Sequence, residues 1–160
     1  MQDVDCTREV SSSKPHICCD DVCGLAAVGN PAASEVRYAL VLAETLRAAV
    51  PGFDPRAVID TSRNGRPTEA QCGATCNARG AGCGELATVR TAAPAVIDAY
   101  FWLTTPGESD GCSEPSCVHF KPACGAESAL GTRGAEPAAP AAGTWYDFGA
   151  KALASNSGYV

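Results

Sequence analysis

The sequence predicts a small, disulfide-rich α/β protein. Ten of its 160 residues are cysteines, an even number that is typical of a cross-linked domain. A segment with helical spacing of apolar residues precedes a short run of β-forming residues, and a second, longer β-type run follows later. Although 46% of the residues are hydrophobic, only 6% are aromatic, so we expect a thin core. Disulfides would compensate, because each closed loop stabilises a domain by about 2–4 kcal/mol.

The first helix and the first strand are predicted from local pattern. Ser34 is a suitable N-cap, and Pro51-Gly52 is a suitable stop. Between them, apolar residues recur at intervals of three and four, at Val36, Ala39, Leu40, Ala43, Leu46 and Val50. Residues 57–60 form a β-type run, and a turn-rich loop over 62–67 follows it. A helix, a strand and a loop in this order make half of an α/β repeat.

A second strand is predicted over residues 95–103, and an acidic turn follows it. The run is apolar without clean alternation, which is typical of a strand buried on both faces, and it stops at Pro106-Gly107. The turn carries Glu108 and Asp110, and α/β folds place their chemistry at the carboxyl ends of strands. If the two strands are parallel, Arg63 and Arg66 reach the same rim, to hydrogen-bond a sugar or to pair with Glu108.

The rest of the chain is predicted to be mostly loop. Residues 1–30 form a Cys-rich region pinned by disulfides, residues 68–94 a long excursion, and residues 112–143 a further loop region. The spacing of four apolar residues then predicts one face of a closing helix, formed by Trp145, Phe148, Ala152 and Leu153.

Composition and motifs argue against several classes of function. A net charge of −6 disfavours nucleic acid and anionic membranes, and no apolar run reaches the roughly 18 residues of a membrane span. Neither a Walker motif nor a Rossmann fingerprint is present. Seven residues are possible zinc ligands: His16, Cys18, Cys19, Cys23, Cys72, Cys76 and His119. They lack the paired CxxC spacing of a zinc site, so disulfides are favoured and no metal is predicted. The cysteines favour an extracellular location, with no signal peptide visible in Met1–Asp5.

Two motifs stand directly after the predicted strands: DTSRNG at 60–65 and PGESDG at 106–111. Other distinctive segments lie at 30–38, 57–59, 76–77, 98–103 and 140–146. In this order the segments resemble the glycoside hydrolase family 6 cellulases, over about residues 30–157. The resemblance implies that residues 30–160 are the C-terminal part of a catalytic domain, a partial distorted (β/α) barrel of closing strands and helices. Residues 1–29 are left as a Cys-rich N-terminal segment of unknown role.

The resemblance also implies an activity. Family members hydrolyse β-1,4-glucosidic bonds in cellulose or related β-glucans with inversion and without a cofactor, so the expected partner is a β-glucan or cello-oligosaccharide. Asp110 matches the catalytic base, and Glu108 and Arg63 match residues of the substrate cleft. The proton donor belongs to an earlier strand that this chain does not match, so we expect a fragment or truncated form. The alternative is a non-catalytic, secreted, disulfide-rich carbohydrate-binding or structural protein.

The chain departs from the family pattern at two positions, and the disulfide partner of a third residue is undecided. Thr104 stands where the family has a lysine, and Thr75 stands where a tryptophan is expected before Cys76. By resemblance, Cys76 pairs with Cys112, as in bacterial members, or with Cys124, as in fungal ones.

Overall fold

The computed structural model describes Asp21, residues 23–66, Cys72 and residues 74–157. Within these residues it contains helix α1 (Glu35–Ala49), strand β1 (Ala57–Asp60), strand β2 (Ile97–Phe101) and helix α2 (Asp147–Ser155). Two 3-10 turns, Ala26–Val28 and Pro122–Gly125, interrupt what is otherwise loop. Most of the predicted segment 1–29 lies outside the described residues, including His16, Cys18 and Cys19.

Helix α1 confirms the prediction from periodicity. The Ser34 hydroxyl accepts a hydrogen bond from the Arg37 amide at 3.3 Å and so caps the first turn. Val36, Ala39 and Ala43 are buried, as their spacing requires. The helix ends just before Pro51, at the predicted stop.

Strands β1 and β2 pair in parallel, as the prediction of a shared rim required. Ala57 lies opposite Ile97 and Asp60 lies opposite Phe101, with an irregularity after Ala57. The prediction that the second strand is buried on both faces is wrong. Ile97 and Tyr100 are fully buried, but Phe101 is 49% exposed, because helix α1 and the segment 91–96 cover only one face of the sheet.

The two outer edges of this sheet differ. On the far side of β2, the Tyr100 and Thr88 amides each donate to the other residue's carbonyl, at 3.0 and 3.1 Å. Within the described residues, β1 has no strand on its other side, and Val58 there is 47% exposed. In the described part of the chain, the β2 edge is therefore paired at one bridge, and the β1 edge is open.

Helix α2 packs a second, smaller core against the loop before it. Leu130, Ala139 and Tyr146 form this core, with Phe148 and Ala152 packed against it. The closing helix is confirmed, but Trp145 does not belong to its buried face. Trp145 precedes the first helical residue and is 58% exposed, while its neighbour Tyr146 is buried and donates its hydroxyl to the Pro137 carbonyl at 2.8 Å.

Disulfides confirm the cross-linked character predicted from the cysteine count. Among the described residues they join Cys23 to Cys72, Cys76 to Cys124 and Cys112 to Cys117. Of the two partners considered for Cys76, the structure therefore has Cys124. None of the helices in the described part of the chain is long and apolar enough to span a membrane.

Candidate functional site

A groove of about 940 Å³ runs beside the carboxyl end of β1. Its walls come from the first half of α1, from β1 and the loop that follows it, and from the segment 74–78. Its lining includes apolar residues, such as Tyr38, Leu42 and Val58, and polar residues, among them Asp60, Arg63, Thr104 and Asp110. The groove thus brings together residues from both predicted motifs.

Asp110 lies in the wall of this groove with a donor on each carboxylate oxygen. Arg63 Nη1 is 2.5 Å from Oδ1, and the Asn77 backbone amide donates to Oδ2 at 2.7 Å. The Asp110 side chain is 31% exposed, so solvent reaches it from the groove. Because each carboxylate oxygen can accept two hydrogen bonds, Asp110 keeps capacity to accept one from a water molecule.

Backbone hydrogen bonds hold the acidic turn in place. The Ser109 amide donates to the Thr144 carbonyl at 2.9 Å, and the Tyr146 amide donates to the Gly107 carbonyl at 2.8 Å. Under the turn, Gly111 packs so closely on the Cys76–Cys124 disulfide that an added Cβ would lie 2.7 Å from the Cys124 sulfur. The turn that bears Asp110 is therefore fixed from both sides.

Asp60 ties the ends of the two strands together at the head of the groove. Its carboxylate accepts hydrogen bonds from the Ser62 amide at 2.9 Å and from the Thr104 hydroxyl at 2.7 Å. Partial burial acts to raise the pKa of Asp60, but the bonds from Thr104, Ser62 and Leu103 together hold this pKa below its usual value. Thr104, three residues beyond the end of β2, thus links this strand to the end of β1.

The sequence-predicted site residues are only partly assembled. Arg63 reaches Asp110, and its Nη2 also donates to the Glu108 backbone carbonyl at 3.0 Å. Glu108 is not among the residues that line the large groove; it borders a separate cavity of about 20 Å³, which Arg63 also lines. Arg66 Nη1 donates to the Asn156 side chain at 2.7 Å rather than pairing with Glu108, and a sugar contact of Arg66 stays a prediction.

Sequence reasoning missed Asn77, which contacts the acidic turn through both backbone and side chain. It is 7% exposed and has a left-handed backbone with φ of 40°. One signal was present: Asn77 directly follows Cys76 in a matched segment, and asparagine is among the residues that best tolerate this conformation. No local pattern indicates its contact with a turn more than thirty residues away.

An ion pair anchors the loop that carries Asn77. Both Nη atoms of Arg79 contact the Glu136 carboxylate, with Nη2 2.8 Å from Oε2. The hydrogen bond from Arg79, with further ones from the Gly131 and Arg133 amides, lowers the pKa of Glu136 from 4.5 to about 2. Both side chains are mostly buried, at 19% and 14% exposure. This pair links the segment after Cys76 to the loop over 129–136.

Most of the cysteines considered as zinc ligands are used in disulfides, which leaves no thiolate for a metal at Cys23, Cys72 or Cys76. His119 is exposed, and the described residues contain no cluster of three or more potential ligands. Cys83 is the free cysteine of the described part, and burial raises the pKa of its thiol despite the nearby Arg63.

These features define an α/β protein with a carboxylate site beyond the carboxyl ends of parallel strands. Its sequence matches the model of glycosyl hydrolases family 6 over residues 19–157, and the chain belongs to this family. It is 40% identical, over 74% of its length, to a probable 1,4-beta-D-glucan cellobiohydrolase C of Aspergillus niger. It is 39% identical, over 79%, to the 1,4-beta-D-glucan cellobiohydrolase C of Emericella nidulans.

Solved structures show the same relationship. The catalytic core of the cellobiohydrolase Cel6A from Chaetomium thermophilum is 34% identical, with a TM-score of 0.71 over 81% of this chain. Cel6A of Humicola insolens, solved with glucose and cellotetraose, is 32% identical with a TM-score of 0.70. The chain spans 24–26% of the two curated relatives and 34% of each of these solved chains.

Proposed function

We propose that this chain is the C-terminal part of a secreted family 6 glycoside hydrolase and carries its catalytic base. The substrate is cellulose, a related β-glucan or a cello-oligosaccharide, with a β-1,4-glucosidic bond cleaved under inversion. Residues 30–160 contribute closing strands and helices of the distorted barrel, and residues 1–29 are a Cys-rich N-terminal segment of unknown role. The observation that carries the proposal is the Asp110 carboxylate, which Arg63 and the Asn77 amide orient in the wall of a groove.

In the proposed reaction, Asp110 accepts a proton from a water molecule. The water oxygen attacks the anomeric carbon from the face opposite the leaving group, and the glycosidic C–O bond breaks. A carboxylic acid about 6.5–9.5 Å from the base delivers a proton to the leaving oxygen. That acid is supplied by a part of the domain that this chain does not match. Arg63 keeps the Asp110 carboxylate in one orientation, and the partial exposure of Asp110 admits the water molecule.

Two features of the structure support the proposal that this chain forms only part of a barrel. The β1 edge of the sheet is open within the described residues, whereas a closed barrel has no free edge. The Nε atom of Arg63 is buried without a hydrogen-bond partner in the part of the chain that is described, although buried donors are nearly always paired. Further barrel strands would cover the open edge and provide acceptors near Arg63.

The test uses a substrate that does not need the missing acid. In 2,4-dinitrophenyl β-cellotrioside the leaving group departs without protonation, so hydrolysis depends on the base alone. We expect this chain to release dinitrophenolate above the spontaneous rate, with α-cellotriose as the first product in ¹H NMR. Asp110→Asn is expected to lower the rate by at least about 100-fold, because general-base catalysis contributes about 10²–10⁴-fold.

Glu114→Gln is the matched control, since Glu114 is an exposed acid four residues after Asp110. This variant is expected to retain the full rate. A β-configured first product, or a rate that Asp110→Asn leaves unchanged, would contradict the proposal. Binding of cellotetraose without any release of dinitrophenolate would instead support the non-catalytic carbohydrate-binding alternative.

A further inference from the structure

The segment around Asn77 makes a reciprocal set of hydrogen bonds with the turn that carries Asp110. The Asn77 amide donates to Asp110 Oδ2 at 2.7 Å, and the Asp110 amide donates back to Asn77 Oδ1 at 2.9 Å. Asn77 Nδ2 donates to the Gly111 carbonyl at 2.8 Å and to Ser109 Oγ at 3.2 Å. One buried side chain therefore contacts three consecutive residues of the turn, Ser109, Asp110 and Gly111.

The backbone of Asn77 is held in a conformation that non-glycine residues seldom adopt. Its φ of 40° makes it the one described non-glycine residue with a positive φ. Asparagine tolerates this conformation better than most residues, and the conformation persists where the surroundings enforce it. Here the Cys76–Cys124 disulfide precedes Asn77, and the Leu130 amide donates to its carbonyl at 2.9 Å. The strained backbone directs the Asn77 N–H at the Asp110 carboxylate.

We propose that Asn77 is the positioning residue of the catalytic base: its left-handed backbone delivers an N–H to Asp110, while its side chain fixes the backbone of the turn. The inference rests on the proposed role of Asp110. Arg63 supplies the charge that faces Asp110, but it reaches the carboxylate from the end of β1 and touches only Oδ1. Asn77 fixes the second oxygen, and two fixed oxygens define the plane of the carboxylate.

Two substitutions separate the two functions of Asn77. Asn77→Gly removes the side chain but keeps a residue that adopts a positive φ without cost, so the N–H can still reach Asp110. Asn77→Ala removes the side chain and also disfavours the left-handed backbone. Ser113→Ala is the control, because Ser113 is equally buried and accepts the Ala139 amide at 3.0 Å in the same loop region.

NMR on the full chain provides readouts that do not require activity. The first is the scalar coupling across the hydrogen bond from the Asn77 nitrogen to the Asp110 carboxyl carbon. We expect it in the wild type, Asn77→Gly and Ser113→Ala, and we expect it to vanish in Asn77→Ala. The second is hydrogen exchange of the Asp110 amide relative to the Ala57 amide, which donates to the Val96 carbonyl at 2.8 Å. Both Asn77 variants should accelerate this exchange about tenfold, and Ser113→Ala should not.

Hydrolysis of the dinitrophenyl substrate gives a third readout. Asn77→Ala is expected to lower kcat by about 100-fold while KM stays within about threefold, because a displaced base impairs the chemical step rather than binding. The inference is overturned if Asn77→Ala keeps the coupling and the slow exchange, or if Ser113→Ala loses both to the same extent. A chain without hydrolytic activity but with the expected NMR results would refute the proposed function and leave the positioning geometry in place.

Discussion

At the scale of single residues, the pairing of Arg63 with Asp110 is the contact with the largest consequence. Both side chains are mostly buried, at 23% and 31% exposure, so Arg63→Met would leave a partly buried carboxylate with only the Asn77 donor. We expect a loss of about 1.5–3 kcal/mol in the free energy of unfolding, measured by urea denaturation. Arg66→Met, which loses only an exposed bond to Asn156, should cost less than about 0.5 kcal/mol. Equal losses in the two variants would contradict this ranking.

A second residue-scale prediction concerns pH and the Arg79–Glu136 pair. The pKa of Glu136 is lowered to about 2 in the folded protein, from 4.5. A lowered folded-state pKa stabilises the fold above pH 4.5, and this stabilisation declines as the pH falls toward 2. In thermal unfolding, Glu136→Gln should therefore be less stable than the wild type at pH 7, and the difference should shrink between pH 4.5 and 2. A difference that is constant over this range would rule out the pair as its source.

Also at the residue scale, the sequence identified Arg63 and Asp110 but not Asn77. The first two stand in distinctive motifs directly after predicted strands, and the parallel pairing of those strands brings them together. The role of Asn77 depends on a left-handed backbone and on contacts that span 33 residues, and neither leaves a local pattern. The contact of Arg66 with Asn156 was not foreseen either, because the two residues are 90 positions apart.

At the scale of elements, helix α1 and both strands were predictable because their caps, stops and periodicity are local. The buried face of α1 was predicted correctly, but the burial of the second strand on both faces was not. Phe101 is apolar but exposed, since burial depends on what packs against a strand and not on the strand's own sequence. Trp145 was misplaced because α2 begins two residues later, at Asp147, which turns the indole away from the core formed by Tyr146 and Leu130.

The disulfides give a prediction at the same scale. The Cys76–Cys124 bond joins residues 48 apart, whereas Cys112–Cys117 joins residues 5 apart. Because loop-closure entropy grows with loop length, replacing the first pair by serine should cost about 4 kcal/mol and replacing the second about 2 kcal/mol. Urea unfolding of the two double-serine variants measures this order. A larger loss for the Cys112–Cys117 variant would show that loop length does not control their contributions.

At the scale of the whole molecule, the open β1 edge beside an apolar groove is the dominant feature. Val58 on this edge is 47% exposed, and Tyr38 and Leu42 in the groove wall are 60% and 43% exposed. Unpaired edges flanked by apolar side chains favour association with other chains. We expect the isolated chain to self-associate with increasing concentration in sedimentation velocity experiments.

Substitution of Val58 tests whether the edge is responsible. Val58→Lys should reduce self-association, because a lysine on an edge strand opposes pairing with a second strand. Val89→Lys is the matched control, since Val89 is 77% exposed but lies in a loop away from β1. If both lysine substitutions reduce self-association equally, general surface hydrophobicity and not the β1 edge is its cause.

The Cys76–Cys124 bond also bears on biosynthesis. Cys83 and Cys112 leave the ribosome before Cys124, and Cys124 follows Cys112 by 12 residues, about one second at usual translation rates. Cys117 emerges before Cys124 as well, and eight cysteines other than Cys76 precede Cys124 in the sequence, so Cys76 is exposed to several wrong partners before its correct one exists. Native pairing then depends on reshuffling by thiolate attack on a mixed disulfide. Oxidative refolding in a glutathione buffer, which permits such exchange, should accordingly give a higher yield of correctly bonded chain than air oxidation.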